Sequence, residues 1–409
     1  MSQPATVFAY PLALPLERGK ERLAYLDWLR FFVVLSLAPF HAALSYTGWG
    51  SVYVYDDPIR NDILSGVGLY HSLHFSGLRY YTIFMDNWFM HLLFLIAGIS
   101  ACHSLKKRDP GSFIGERARR LTLPLLFGTT LVIPIQSWLG ALDFRTWKGN
   151  LLAFYPRFFA SHFEWGHLWF LGYLFIFSLL ALPLFMRWER WGPPAFLVSI
   201  LSRGVGALSP ALLFGFLEAL FRPGWPGRLN LVNDWANFTV YFGYFVLGYA
   251  LGSKDILLER VERLRYGELV LGVFAFLARL GTGYVLPVIG GYTPGTMLAE
   301  FFRGLASWGL VLAALGFGRR YLGRGPLFAG PAYDLARDLS FPLYFFHFIP
   351  VTAVTYLLLG TGLSVPLRWA ITVLAAWASV AITTELIRLS GRPLCDFFGI
   401  RVSRRARSS

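Results

Sequence analysis

The sequence predicts an all-α, polytopic integral membrane protein of about ten transmembrane helices with both termini in the cytoplasm. Three observations predict it. Of 409 residues, 56% are hydrophobic, 18% aromatic and only 15% charged, with a mean hydropathy of +0.52. A soluble chain carries about a quarter charged residues, so these values exclude the ordinary globular class. Apolar runs of about 20 residues recur along the chain, the length a helix needs to cross a hydrocarbon core. The basic residues, finally, alternate between the connecting segments in the way a membrane topology requires.

In order, the apolar runs occupy 25–48, 82–102, 121–142, 167–186, 205–221, 236–253, 267–289, 297–317, 339–359 and 366–387. The fifth is short for a span and is expected to extend backwards through Phe196 to Leu201. Of the 37 Lys and Arg, the segment before the first run, those after each even-numbered run and the one after the tenth hold 26. The alternate connections hold 7, and Arg30, Arg279, Arg303 and Arg368 lie within the runs. This asymmetry follows the positive-inside rule and puts both ends of the chain in the cytoplasm.

The net charge of +14 is therefore mostly a topology signal plus a basic tail, RVSRRARSS. Nucleic-acid recognition needs a basic patch on a soluble domain, and none is expected here, so no nucleic-acid partner is inferred. The organisation read from this is a cytoplasmic segment over 1–20, a membrane domain over 21–390 and the tail over 391–409. Prolines in the first apolar stretch and the lack of a charged region ahead of it argue against a cleaved signal peptide. Two cysteines, Cys102 and Cys395, are too few and too distant for a disulfide framework. No internal repeat of the kind found in secondary transporters is visible.

The first run, LDWLRFFVVLSLAPFHAALSY, carries Asp27, Arg30 and His41. Eleven residues separate Arg30 from His41, which at about 100° per residue returns to within roughly 20° of the same face, about 16 Å along the axis. Ionisable groups in a span face a bundle interior or a polar cavity. His41, Arg30 and Asp27 are therefore candidate catalytic residues, since imidazole titrates near neutral pH and can deprotonate a hydroxyl. The alternative makes Asp27 and Arg30 interfacial anchors and His41 a hydrogen-bonded packing residue. In GERARRLTLPLL, Arg117 and Arg120 sit three apart, a spacing that aligns two guanidinium forks for phosphate oxygens, although topology alone also favours arginine there.

His167 and Trp169 open the fourth run in GHLWFLGYLF, and in LSFPLYFFHF the residues Ser340, Tyr344 and His347 share one helix face at i, i+4 and i+7. His91, with Trp88 one turn away, is a weaker candidate, and His71, His74, His103 and His162 read as loop or interface residues. No histidine pair on a helix has metal-ligand spacing, so no metal is expected. Trp49, Tyr53, Tyr55, Trp147, Trp165, Trp225 and Trp235 in the outer connections can stack on sugar rings or form an interfacial belt.

The succession YLDWLR, His41, LFLIAG, RARRLTLPL, HLWFL and SFPLYFFH resembles the integral-membrane acyltransferase family 3, closest to its branch of bacterial osmoregulated-glucan succinyltransferases, over about Arg22 to Arg388. The resemblance implies transfer of an acetyl, succinyl or similar group from cytoplasmic acyl-CoA to a hydroxyl of a glycan or other acceptor beyond a bacterial inner membrane. Acetyl-CoA or succinyl-CoA would be a donor substrate, and no tightly bound cofactor is implied. By that resemblance His41 is the catalytic histidine and Arg30 its partner. Arg117 and Arg120 handle the donor, and Tyr344 and His347 form the polar pair of the late helix. Two positions depart from the pattern: Ala97-Gly98 replaces Ser-Gly, and Ser340-Phe341 replaces Ser-Tyr. The rival reading is a transporter of a glycan precursor, with Arg279, Glu300 and Arg303 along its path. The acyl group, the acceptor and the oligomeric state are not legible.

Overall fold

The computed structural model describes residues 18–46, 76–143, 147–161, 163–203, 206–227, 229–322 and 328–400. Trp49, Tyr53, Tyr55, His71, His74, His162, the first 17 residues and the RVSRRARSS tail lie outside these. The described residues form helices α1 (Arg18–Leu35), α2 (Leu37–Leu44), α3 (Ser76–Asp86), α4 (Phe89–Leu105) and α5 (Pro110–Leu142). They continue as α6 (Leu151–Ser161), α7 (Trp169–Trp191), α8 (Ala195–Ser202), α9 (Pro210–Phe221), α10 (Trp235–Ser253) and α11 (Asp255–Val285). Last come α12 (Pro294–Tyr321), α13 (Gly330–Phe346), α14 (Phe348–Leu357), α15 (Val365–Leu389) and α16 (Arg392–Phe398).

The described parts of the ten apolar runs fall mostly on these helices. By length and composition, seven helices among the described residues can cross a membrane, or up to nine if each of two bent pairs is one span. A helix satisfies its own backbone, which is why an apolar run without water adopts this form. On α11 the apolar Val270, Phe274 and Leu277 are exposed, as lipid-facing residues are. The extension expected for the fifth run is a separate helix, α8, because Arg203 is extended and ends it at Ser202.

Prolines shape the spans that build the site. Pro39 has no N–H for the Leu35 carbonyl, and the indole of Trp377 donates to that carbonyl instead, at 3.1 Å. Pro350 cannot bond the Phe346 carbonyl, and α13 and α14 meet at 57° with His347 at the bend. In α5, Pro124 and Pro134 interrupt the ladder, and π turns at Ala118–Thr122 and Gly128–Val132 absorb the shift. Asp109 caps this helix by accepting from the Ser112 amide at 2.9 Å, ahead of Pro110 in its first turn. The Ser112 hydroxyl donates to the same carboxylate at 2.5 Å, and the hydroxyl and amide bonds together hold the Asp109 carboxyl below its usual value of 3.8.

The core is made of close helix crossings. A Cβ at Gly98 would lie 2.0 Å from the Phe245 carbonyl oxygen, so α4 and α10 touch backbone to backbone there. That contact accounts for the glycine of the Ala97-Gly98 pair by packing alone. Because α4 holds α10 so closely, Phe94, Trp169 and Tyr241 gather into one aromatic stack above the crossing.

Candidate active site

Three histidines from distant parts of the chain converge. His41 on α2, His167 in the turn Gly166–Leu168 and His347 at the α13–α14 bend are all buried. The His41 and His347 rings stack at 4.9 Å, and His167 meets His347 edge-on at 5.1 Å. Phe348 closes the cluster, tilted against His41 at 4.9 Å and parallel to His167 at 5.2 Å.

The partners fix the tautomers. His347 Nδ1 lies 2.7 Å from the Leu343 carbonyl and 3.0 Å from that of Tyr344. Carbonyls only accept, so Nδ1 carries the proton of the neutral ring and Nε2 keeps its lone pair. His41 Nδ1 then donates to His347 Nε2 at 2.7 Å, which leaves the lone pair of His41 on Nε2. His167 donates from Nε2 to the Phe345 carbonyl at 3.2 Å, and its Nδ1 has no hydrogen-bond partner in the protein. Tyr344 supports the turn by donating to the His167 carbonyl at 3.0 Å.

His41, His167 and Tyr344 line a cavity of about 1750 Å³, which is larger than most small-ligand sites. Its walls are aromatic, with Trp165, Trp169 and Tyr241, and Trp169 stacks on Tyr241 at 5.5 Å. The same lining carries a buried ion network. Arg303 reaches Asp86 at 2.8 Å and Glu218 at 3.6 Å, Arg222 forks onto Glu218 at 2.7 and 2.9 Å, and Arg279 lies 3.7 Å from Glu300. Arg279 also donates to Asn87 at 2.9 Å. Three guanidinium groups thus meet three carboxylates, the condition under which buried charge is tolerated.

The arginine pair lies at the other end of the bundle. Arg117 and Arg120 stand at the start of α5, whereas the cavity touches that helix near its far end, at Gln136. Arg117 sits over the Phe113 ring at 5.2 Å, and Arg120 pairs with Glu116 at 3.0 Å while remaining 68% exposed. Arg108 pairs with the same glutamate. Arg30 is held by Asp27 at 2.8 Å and donates to Ser100 at 3.4 Å, and Tyr333 donates to Asp27 at 2.6 Å. Arg30 lies within electrostatic reach of Arg117. Asp27 and Arg30 therefore belong to the arginine end, and neither lines the cavity that holds His41.

The remaining candidates divide. Trp169 lines the cavity, whereas His91 is fully buried between Tyr241 and Tyr244, with neither ring nitrogen hydrogen-bonded, and lies outside the lining. Ser340 turns its hydroxyl back to the Ala336 carbonyl at 2.7 Å and is not in the lining either, about two turns of α13 before the bend. Glu300 and Arg303 come within 4.0 Å of each other, and Arg279 joins them, in the cavity wall. Of the outer tryptophans that are described, Trp165 lines the cavity, and Trp147, Trp225 and Trp235 do not. Sequence reasoning missed Gln136, Asp86, Arg222 and Tyr241. A lone amide in the apolar stretch IPIQSWLG was a readable signal for Gln136. Among the described residues no group of three or more His, Cys, Asp or Glu is arranged to hold a metal ion.

Membrane-length helices around a buried histidine cluster define an integral membrane protein with an internal polar site. The chain belongs to the acyltransferase domain family 3, whose model matches residues 23–387, and it is accordingly an acyltransferase. No curated protein and no solved structure matches it.

Proposed function

We propose that this protein transfers an acyl group, acetyl, succinyl or similar, from acyl-CoA in the cytoplasm to a hydroxyl of a glycan or another acceptor that enters the cavity from the opposite side. The observation that carries this reading is the 2.7 Å bond from His41 Nδ1 to His347 Nε2, which directs the basic Nε2 of His41 away from its partner in a ring that lines the cavity. His347 acts as a positioning residue, since its own Nδ1–H is tied to two backbone carbonyls.

In this reaction His41 Nε2 takes the proton of the acceptor hydroxyl. The oxygen attacks the thioester carbonyl carbon, the C–S bond breaks, and His41 returns the proton to the departing thiolate. A direct transfer needs no acyl-enzyme, and the position of His41 beside His347 suits a base better than a nucleophile. Arg117 and Arg120 would bind the phosphates of the donor at the cytoplasmic mouth. Arg30, tied to Asp27 and close to Arg117, serves that same end rather than the reacting carbonyl. The aromatic walls and paired charges of the cavity suit a polyhydroxylated acceptor.

Reconstituted protein supplied with acetyl-CoA or succinyl-CoA is expected to release free CoA thiol, and His41→Ala is expected to abolish that release without loss of the folded state. Full activity in His41→Ala would overturn the base assignment. A bacterial inner membrane is the location this reading implies.

A further inference from the structure

Gln136 is the one lining side chain whose whole amide is buried and unanswered. It is 0% exposed, yet neither its amide nitrogen nor its oxygen has a hydrogen-bond partner in the protein. Leaving such a group unpaired is costly, and native proteins keep buried polar groups satisfied almost everywhere. A second feature makes room for it. Gly166 adopts a left-handed backbone, φ +47°, and a Cβ there would stand 2.5 Å from the Gln136 amide nitrogen. The amide is therefore seated against the backbone immediately before His167, and Gln136 borders the cavity that His41 lines.

Its chemistry is complementary to that of the neighbouring imidazoles. The hydrogen-bond partners leave His167 Nδ1 as an unanswered lone pair, and Tyr344 has spent its proton on the His167 carbonyl. Acyl transfer through a base also needs a donor at the carbonyl oxygen, where negative charge develops as the tetrahedral intermediate forms. The Arg279 and Arg303 guanidinium groups are engaged with Asn87, Asp86 and Glu300.

We infer that Gln136 is the oxyanion donor of the transfer, its amide N–H groups binding the acyl carbonyl oxygen while His41 deprotonates the attacking hydroxyl. This rests on the acyl-transfer reading above. As the acceptor oxygen bonds to the carbonyl carbon, the carbonyl π pair moves onto its oxygen and is held by Gln136. The pair returns as the C–S bond breaks, and the thiolate leaves with the proton from His41. Gln136 is uncharged and gains or loses no proton in the cycle. Its buried amide is kept at a cost to the resting protein because its partner arrives with the substrate.

The test compares Gln136→Ala and the near-isosteric Gln136→Met with the unaltered full chain, reconstituted with succinyl-CoA or acetyl-CoA and a neutral gluco-oligosaccharide. Thiol release and thermal unfolding are measured on the same samples. Both variants are expected to lose about 100- to 1,000-fold in kcat with little change in the donor KM, as removal of an oxyanion donor does. Gln136→Met is expected to unfold at the same temperature as the unaltered protein or higher, since it removes an unpaired buried amide. Retention of kcat, a loss confined to KM, or a fall in the unfolding temperature of Gln136→Met that parallels the loss of activity would each overturn the assignment. Absence of thiol release from the unaltered protein would instead overturn the acyl-transfer reading, and this inference with it.

Discussion

The two ends of the bundle handle charge in opposite ways. In the cavity wall, Arg222, Arg279 and Arg303 are matched by Asp86, Glu218 and Glu300 at distances from 2.7 to 4.0 Å. At the other end, Arg108 and Arg120 share Glu116, Arg30 is held by Asp27, and Arg117 rests on an aromatic ring within reach of Arg30, Arg108 and Arg120. Desolvation explains part of the difference. A buried guanidinium must be neutralised within the protein, whereas an exposed one such as Arg120 can hold its charge in reserve for an anion that arrives from outside. The matched end is thus a scaffold for an uncharged reaction centre, and the unmatched end has the excess that a polyphosphate donor would use.

Variants at the two ends should separate along these lines. The largest effect is expected from His347→Ala. Removing the acceptor of the His41 Nδ1 proton frees the ring to take the wrong tautomer, and kcat should fall about 10²- to 10⁴-fold. The donor KM should change little, and so should the sensitivity to salt. A loss of donor affinity instead would move His347 out of the positioning role and blur the division between the ends.

Next is Arg303→Met, which leaves Asp86 and Glu218 short of a countercharge. Breaking a buried pair in this way costs about 3–5 kcal/mol, to be read from denaturant unfolding in detergent. An unchanged stability would mean that the network is not structural and would favour a role in moving a charged ligand, the transporter reading. The smallest effect is expected from Arg117→Ala and Arg120→Ala. Each should raise the donor KM by roughly fivefold to tenfold, since cations near water are screened. Their unfolding temperatures should stay within a degree or two of the unaltered protein, and the KM effect should shrink as ionic strength rises. Salt-independent KM values would remove the arginine end from donor binding.

Much of this division was legible in the residue order. The run lengths predicted the helices, and the basic asymmetry placed Arg117 and Arg120 together at one end. The motif order announced the family. The site was legible only in part, because spacing along one helix says nothing about which other helix it meets. The Arg30-to-His41 spacing suggested one working face. Instead, Arg30 turns to Asp27 and Ser100, and His41 turns to His347, 306 positions further along the chain. Likewise, Ser340, Tyr344 and His347 share a face in a straight helix, but the bend before Pro350 gives His347 to the cluster and leaves Ser340 bonded to its own helix.

The sequence by itself determined the material of the protein: apolar helices, the sign of charge at their ends and the histidines, arginines and glutamine embedded in them. These follow from local physics, since a span must be apolar and must bond its own backbone. Only the tertiary structure decided which of those groups meet. Convergence of His41, His167 and His347, the tautomers their partners impose, and the unanswered amide of Gln136 all arise where proline bends and glycine crossings set separate helices side by side. Those meetings are contacts between residues remote in sequence, and no periodicity within one segment encodes them.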